Sequence, residues 1–183
     1  LGDVYKRQPK YCAEDGRPLG AEALIRWLHP ERGMVPPDSF IPLAERSGMI
    51  GPLGKWVLEE ACRQMRAWRD AGHGDWRVAV NLSATQLASP SLPAEVAATL
   101  AAHAIAPGQL TLEITETMAM RDADACLRTL GQLTDLGVRI AIDDFGTGYS
   151  NLLYLRKLPA HELKIDRSFV QAMDSGPEDI AIV

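Results

Sequence analysis

Six polar residues stand where short apolar runs of the chain stop: Glu22, Asn81, Glu113, Asp143, Asp144 and Lys164. From Asn81 onward they are spaced by 32, 30 and 21 residues, each about the length of one strand–loop–helix unit. When such units form a parallel sheet or barrel, matching positions on successive strands come to the same end of it. Four carboxylates, one amide oxygen and one lysine would then share a pocket. Acidic groups that close repel one another, and oxygen donors of this kind are what hard divalent cations bind. The residues therefore predict metal-dependent chemistry, with bound divalent ions as the condition for the cluster to exist.

Local patterns agree with that placement. In Leu110-Thr111-Leu112-Glu113-Ile114-Thr115-Glu116, alternation puts Glu113 on the face opposite Leu112 and Ile114. A carboxylate facing a barrel axis is costly unless it binds something. Ile140-Ala141-Ile142 leads into Asp143-Asp144; neighbouring strand residues face opposite ways, so Asp143 points inward directly and Asp144 must use the following turn. That turn, Phe145-Gly146-Thr147-Gly148-Tyr149-Ser150, has two glycines that allow positive φ and close approach of backbone N–H groups to an anion. Gly146 and Thr147 are its substrate-binding candidates. Lys164, between Leu163 and Ile165, needs a counter-charge or a task such as positioning a nucleophile. Taken singly, each of these residues has an ordinary use as a cap, a turn or a solvated side chain; their joint placement at strand ends is what points to a site. The four histidines are scattered without metal-ligand spacing, and Asp144-Phe145-Gly146 lacks the glycine-rich loop and H-R-D that a kinase would need.

The elements that must position these groups alternate. Gln8–Tyr11 and Leu19–Trp27 flank Glu14-Asp15-Gly16-Arg17-Pro18 and read as an antiparallel hairpin. Phe40–Ser47 reads as a short helix with Asp38 as its cap and Gly48 as its stop. Leu53–Ala71 is an amphipathic helix ended by Gly72. Arg77–Leu82, Leu110–Thr115, Arg139–Ile142 and Glu162–Asp166 read as strands. Pro93–Ala104, Asp122–Leu136 and Asn151–Leu158 read as the helices between them. From Arg77 the order is that of a parallel sheet with crossover helices, and a closed barrel of this kind needs eight strands. About six are countable, and the run Pro177–Val183 begins a further helix.

The chain has 183 residues, 46% of them apolar, enough for one domain with a real core. A net charge of -5 argues against DNA or RNA polymers as partners, so a phosphate ligand must be held locally. Cys12, Cys62 and Cys126 are odd in number and lack C-x-x-C spacing, as expected of thiols in a reducing cytosol. No apolar run has the length of a membrane helix, although a membrane-anchored parent protein is compatible with this stretch.

Together these residues resemble the EAL domain family of cyclic-di-GMP phosphodiesterases. The name-giving triplet is Glu22-Ala23-Leu24, continued by Ile25-Arg26-Trp27. It is followed in the family's order by Phe40-Ile41-Pro42-Leu43-Ala44-Glu45, Val80-Asn81-Leu82-Ser83, Glu113-Ile114-Thr115-Glu116, Asp143 to Ser150 and Leu163-Lys164-Ile165-Asp166. The resemblance implies an α/β fold, a modified TIM (β/α)8 barrel with an antiparallel first strand, incomplete here at about six of eight strands. Residues 1–8 read as a poorly patterned leader, and 9–183 as the domain without its C-terminal strands.

The resemblance also implies site roles. Glu22, Asn81, Glu113 and Asp143 would bind one Mg2+ or Mn2+, and Asp143 would bridge to a second ion helped by Asp144. The two ions would share a hydroxide that attacks phosphorus in line, giving linear pGpG. Lys164 would orient the water, Arg26 would clamp a substrate phosphate, and Glu116 would anchor the loop from Asp144 to Ser150, which contributes to coupling in a homodimer. Cyclic-di-GMP is the expected partner, a cytoplasmic domain the expected setting, and GGDEF or sensor domains the expected neighbours in the parent protein. A later glutamate that the family uses would lie beyond Val183, so the expectation is an active parent and an inactive fragment. The alternative is a non-catalytic cyclic-di-GMP receptor of the same fold. An enolase-type lyase also places carboxylates and a lysine at strand ends, but it explains neither Arg26 nor the glycine-rich turn.

Overall fold

The computed structural model describes residues 5–146 and 156–172. Strand β1 (Tyr5–Tyr11) turns back through Glu14-Asp15-Gly16 into β2 (Pro18–Ile25), antiparallel, with Gln8 opposite Glu22 and Lys10 opposite Gly20. The hairpin was legible, but β1 starts at Tyr5 rather than Gln8. A second, unanticipated hairpin pairs β3 (Trp27–His29) with β4 (Gly33–Val35). From β2 the sheet is parallel through β5 (Arg77–Asn81), β6 (Leu110–Thr115), β7 (Arg139–Phe145) and β8 (Glu162–Ile165), in the order β1-β2-β5-β6-β7-β8. This six-stranded sheet curls into half of a TIM-like barrel. The curl brings its two edge strands together: the Lys10 ammonium on β1 donates to Glu162 on β8 at 3.0 Å.

Alternation along the strands sends Ala23, Val78, Val80, Leu112, Ile114, Ile140 and Ile142 to the outer face, where they are buried. The helices cover that face. Their apolar stripes are Val57, Leu58, Ala61 and Met65 of α2 (Ile50–Asp70), Val96 and Leu100 of α4 (Leu92–Ala102), and Leu130 and Leu133 of α6 (Ala123–Asp135). The inner face carries the polar residues Glu22, Asn81, Thr111, Glu113 and Asp143 with the small Ala79 and Ala141 between them.

Helix boundaries moved for local reasons. Helix α1 (Pro37–Arg46) begins before Phe40, with Pro36 as its N-cap; Asp38 makes no side-chain cap and sits in the first turn, where a carboxylate suits the helix dipole. Helix α2 starts at Ile50 despite Pro52, because a first-turn residue needs no donor. The short α3 (Ala84–Leu87) has a reciprocal cap between Ser83 and Gln86. The helix read from Asp122 is preceded by α5 (Glu116–Arg121), capped by the Thr115 hydroxyl, and Asp122 itself caps α6 through the Ala125 N–H. The last described helix, α7 (Arg167–Ala172), follows Asp166, whose carboxylate accepts from the Ser168 N–H at 2.9 Å. The helix read over Asn151–Leu158 falls largely outside the described residues, and the run Pro177–Val183 wholly outside them. No described helix is long and apolar enough to cross a membrane.

Candidate metal centre

The strand register builds the site. Asn81 pairs with Glu113 across β5 and β6, and Thr115 pairs with Asp143 across β6 and β7. The ends of β5, β6 and β7 therefore present polar side chains to the hollow of the curled sheet. Glu22 enters from β2 and Lys164 from β8. One carboxylate oxygen each of Glu22, Glu113 and Asp143 lies within 4.8 Å of the others. The Lys164 ammonium stands among them, donating to Glu113 Oε2 at 2.7 Å, Asp143 Oδ2 at 2.9 Å and Glu22 Oε2 at 3.2 Å. Asn81 Nδ2 donates to the other Glu22 oxygen at 2.8 Å, aligning that carboxylate.

Glu113 is the deepest member, with no exposed surface. Burial pushes its pKa up to about 7, against the hydrogen bond and charge of Lys164 and the charge of Lys10, while Glu22 pushes the same way as burial. Burial disfavours the charge on Lys164, but its hydrogen bonds to Glu113 and Asp143 and the nearby carboxylates outweigh that and hold its pKa far above the ordinary lysine value. Lys164 neutralises part of the acidic charge from within the chain. Three carboxylates around one ammonium still leave the group anionic. Glu113 Oε1 is buried with no hydrogen-bond partner. A set of carboxylate oxygens that stays anionic with Lys164 counted suits a hard cation such as Mg2+ or Mn2+.

The other sequence-derived residues divide. Asp144 sits at φ 54 near the end of β7, where the β7–β8 register shifts between Ile142 and Phe145. Its carboxylate is exposed beside the group of three, and its pKa is raised by partial burial and by Asp143. Glu116, 2% exposed, accepts the Gly146 N–H at 3.0 Å. That ties the turn to the start of α5 and engages the N–H that would otherwise face an anion. Gly146 is at φ 96, and a Cβ there would stand 2.7 Å from the Phe169 ring of α7. Thr147 lies outside the described residues. The Arg26 guanidinium donates to the Ile25 carbonyl at 2.8 Å, and Arg26 and Asn81 line a cavity of about 1080 Å³ whose walls are mainly outer-face and helix residues such as Ala23, Val57, Leu58, Val80 and Leu112, not the three carboxylates.

Sequence reading missed the layer beneath. Lys10 Nζ is 3.6 Å from Glu113 Oε1 and is held by Glu162, which also meets Arg139 at 3.4 Å. The signal for Lys10 was available in alternation: it is two residues from Gln8, so both face the same way. Arg139 and Glu162 open their strands and look like ordinary strand-start charges.

The EAL domain family model matches residues 4–183. The chain is 56% identical over 180 residues to the bifunctional diguanylate cyclase/cyclic di-GMP phosphodiesterase MucR of Pseudomonas aeruginosa, covering 98% of this chain and 26% of that protein. It is 46% identical over 175 residues to the cyclic di-GMP phosphodiesterase NbdA of the same organism, covering 96% of this chain and 22% of that protein. The chain thus spans about a quarter of the length of these curated relatives. Among solved structures, the PaMucR phosphodiesterase in its c-di-GMP complex superimposes with a TM-score of 0.92 at 55% identity, covering 98% of this chain and 72% of that one.

Proposed function

The chain belongs to the EAL domain family, and from that membership we propose that it is the phosphodiesterase portion of a longer protein, opening cyclic-di-GMP to linear pGpG. The observation that carries this is the convergence of Glu22, Glu113 and Asp143 on Lys164 at the ends of separate strands. Glu22, Asn81, Glu113 and Asp143 would hold one Mg2+ or Mn2+, and Asp143 with Asp144 a second. Such ions, when bound, supply Lewis-acid charge against a phosphodiester and ready a water for in-line attack. Lys164, already within reach of three of these carboxylates, would orient that water. Arg26 would bind a phosphate as a two-pronged donor once released from the Ile25 carbonyl. Glu116 would hold the turn that presents Asp144, and Gly146 and Thr147 would border the substrate.

We place the domain in the cytoplasm, with cyclase or sensor domains beside it and a homodimer as its assembly. The 183 residues alone would not turn over. Their sheet ends on β1 and β8, each with an edge unpaired among the described residues. The solved PaMucR phosphodiesterase chain extends further than this one.

The test is product analysis of cyclic-di-GMP with Mn2+, for the 183-residue chain and for the same chain within its parent protein. We expect pGpG from the parent alone. Measurable pGpG from the 183 residues would overturn the inactivity claim. Binding without turnover by the parent would make the domain a receptor, and absence of both would overturn the assignment.

A further inference from the structure

We propose that Lys10 is a positioning residue for the metal centre: from the floor of the half-barrel it holds the buried end of Glu113, so that the other end stays with the Glu22–Asp143 group. This rests on the metal-binding reading of that group.

The geometry has three parts. Glu113 is fully buried, and its two oxygens face different neighbours. Oε2 is 2.7 Å from Lys164, and Oε1, without a hydrogen bond, has the Lys10 ammonium 3.6 Å away. A carboxylate gripped from one side can still rotate about its last bond; a cation behind the second oxygen removes that freedom. Lys10 is itself fixed, because Glu162 accepts from it at 3.0 Å and Arg139 steadies Glu162 from the next strand at 3.4 Å. Finally, Lys10 is on β1 and Glu162 on β8, the two edges of the sheet. The same ion pair therefore joins the two edge strands of the curled sheet.

Simple electrostatics argues the other way. A lysine near a cation site repels the incoming ion, so its removal should tighten binding. Positioning predicts weaker binding. The two accounts differ in sign.

The experiment is Mn2+ titration of the parent protein that carries this domain, by calorimetry and by the electron paramagnetic resonance signal of free Mn2+, with far-ultraviolet circular dichroism to confirm folding. Wild type is compared with Lys10→Met, Lys10→Gln and Lys10→Arg. Lys10→Met and Lys10→Gln are expected to weaken Mn2+ binding by about 10- to 100-fold, the usual effect of losing a group that orients a ligand. Lys10→Arg, which restores the cation, is expected to recover affinity to within about threefold of wild type, on the same principle. Unchanged or tighter binding by a folded Met or Gln variant would overturn the proposal. So would loss of fold in both, since Lys10 would then serve the fold and not Glu113. Failure of Arg to rescue would also overturn it. If wild type takes up no Mn2+, it is the metal-binding reading of the site that fails, and the Lys10 proposal falls with it.

Discussion

Three carboxylates share one ammonium at the centre of this site, and that arrangement can be tested by removing either partner. Lys164 is 25% exposed and makes hydrogen bonds to Glu22, Glu113 and Asp143. Lys164→Met leaves the acids facing one another. Breaking a fully buried pair costs about 3–5 kcal/mol, and partial exposure reduces that to about 1–3 kcal/mol here. Urea unfolding of the metal-free chain should show the loss, and added Mn2+ should recover more stability in the variant than in wild type. The complementary change, Glu113→Gln, keeps the shape and removes the charge. If Glu113 is a ligand as proposed, it should lower Mn2+ affinity by at least about 100-fold in a calorimetric titration, because a direct ligand matters more than the groups that orient one.

Strands and turns hold these side chains through close backbone contacts that tolerate little change. Gly20 on β2 sits at φ 149, and a Cβ there would collide with the Arg77 backbone carbonyl on β5. Because the obstacle is backbone, Gly20→Ala has to pry apart the β2–β5 pairing that aligns Glu22 with Ala79. Overpacking of this kind costs about 3 kcal/mol or more where nothing can yield, and a lowered urea midpoint with unchanged slope would report it. A milder case is Ser83, which caps α3 through the Gln86 N–H just beyond Asn81. Ser83→Ala should cost about 1 kcal/mol in the same measurement.

The curled sheet as a unit depends on charge across its floor. Burial acts to raise the pKa of Glu162, but the hydrogen bond and charge of Lys10, helped by Arg139, outweigh it and leave the value below the ordinary 4.5. A carboxylate with a depressed folded pKa contributes stability above its unfolded value and loses it as pH falls through the folded one. The chain should therefore lose stability on acidification below about pH 4.5 in part through this group, and Glu162→Gln should flatten that acid limb in thermal melts recorded against pH. An acid limb unchanged by the substitution would show that the floor ion pair does not bear on folding. The strand-and-helix alternation from Arg77 made the parallel sheet legible, and the Asp15-Gly16 turn made the hairpin legible. The early start of α2, the separate α5 and the β3–β4 pair were not, because each depends on a neighbour: first-turn tolerance of proline, a threonine cap, and a partner strand only three residues long.

Which residues could bind metal was written in the chain, since strand periodicity alone turns Glu113 away from Leu112 and Ile114 and leaves Asp143 inward. The six-strand count and the antiparallel first strand followed from spacing and from likeness to the EAL family. Distances between strands are set by twist and curl, which arise from how the whole outer face packs on its helices. Only folding could therefore choose which oxygen of each of three carboxylates Lys164 meets, single out the Gly146 N–H as the group that Glu116 accepts, turn Arg26 back toward Ile25, and bring Lys10 on the first strand under Glu113 on the fourth strand of the sheet. Local periodicity fixes the side of a strand a residue faces; convergence in space is a property of the closed curve that all the strands make together.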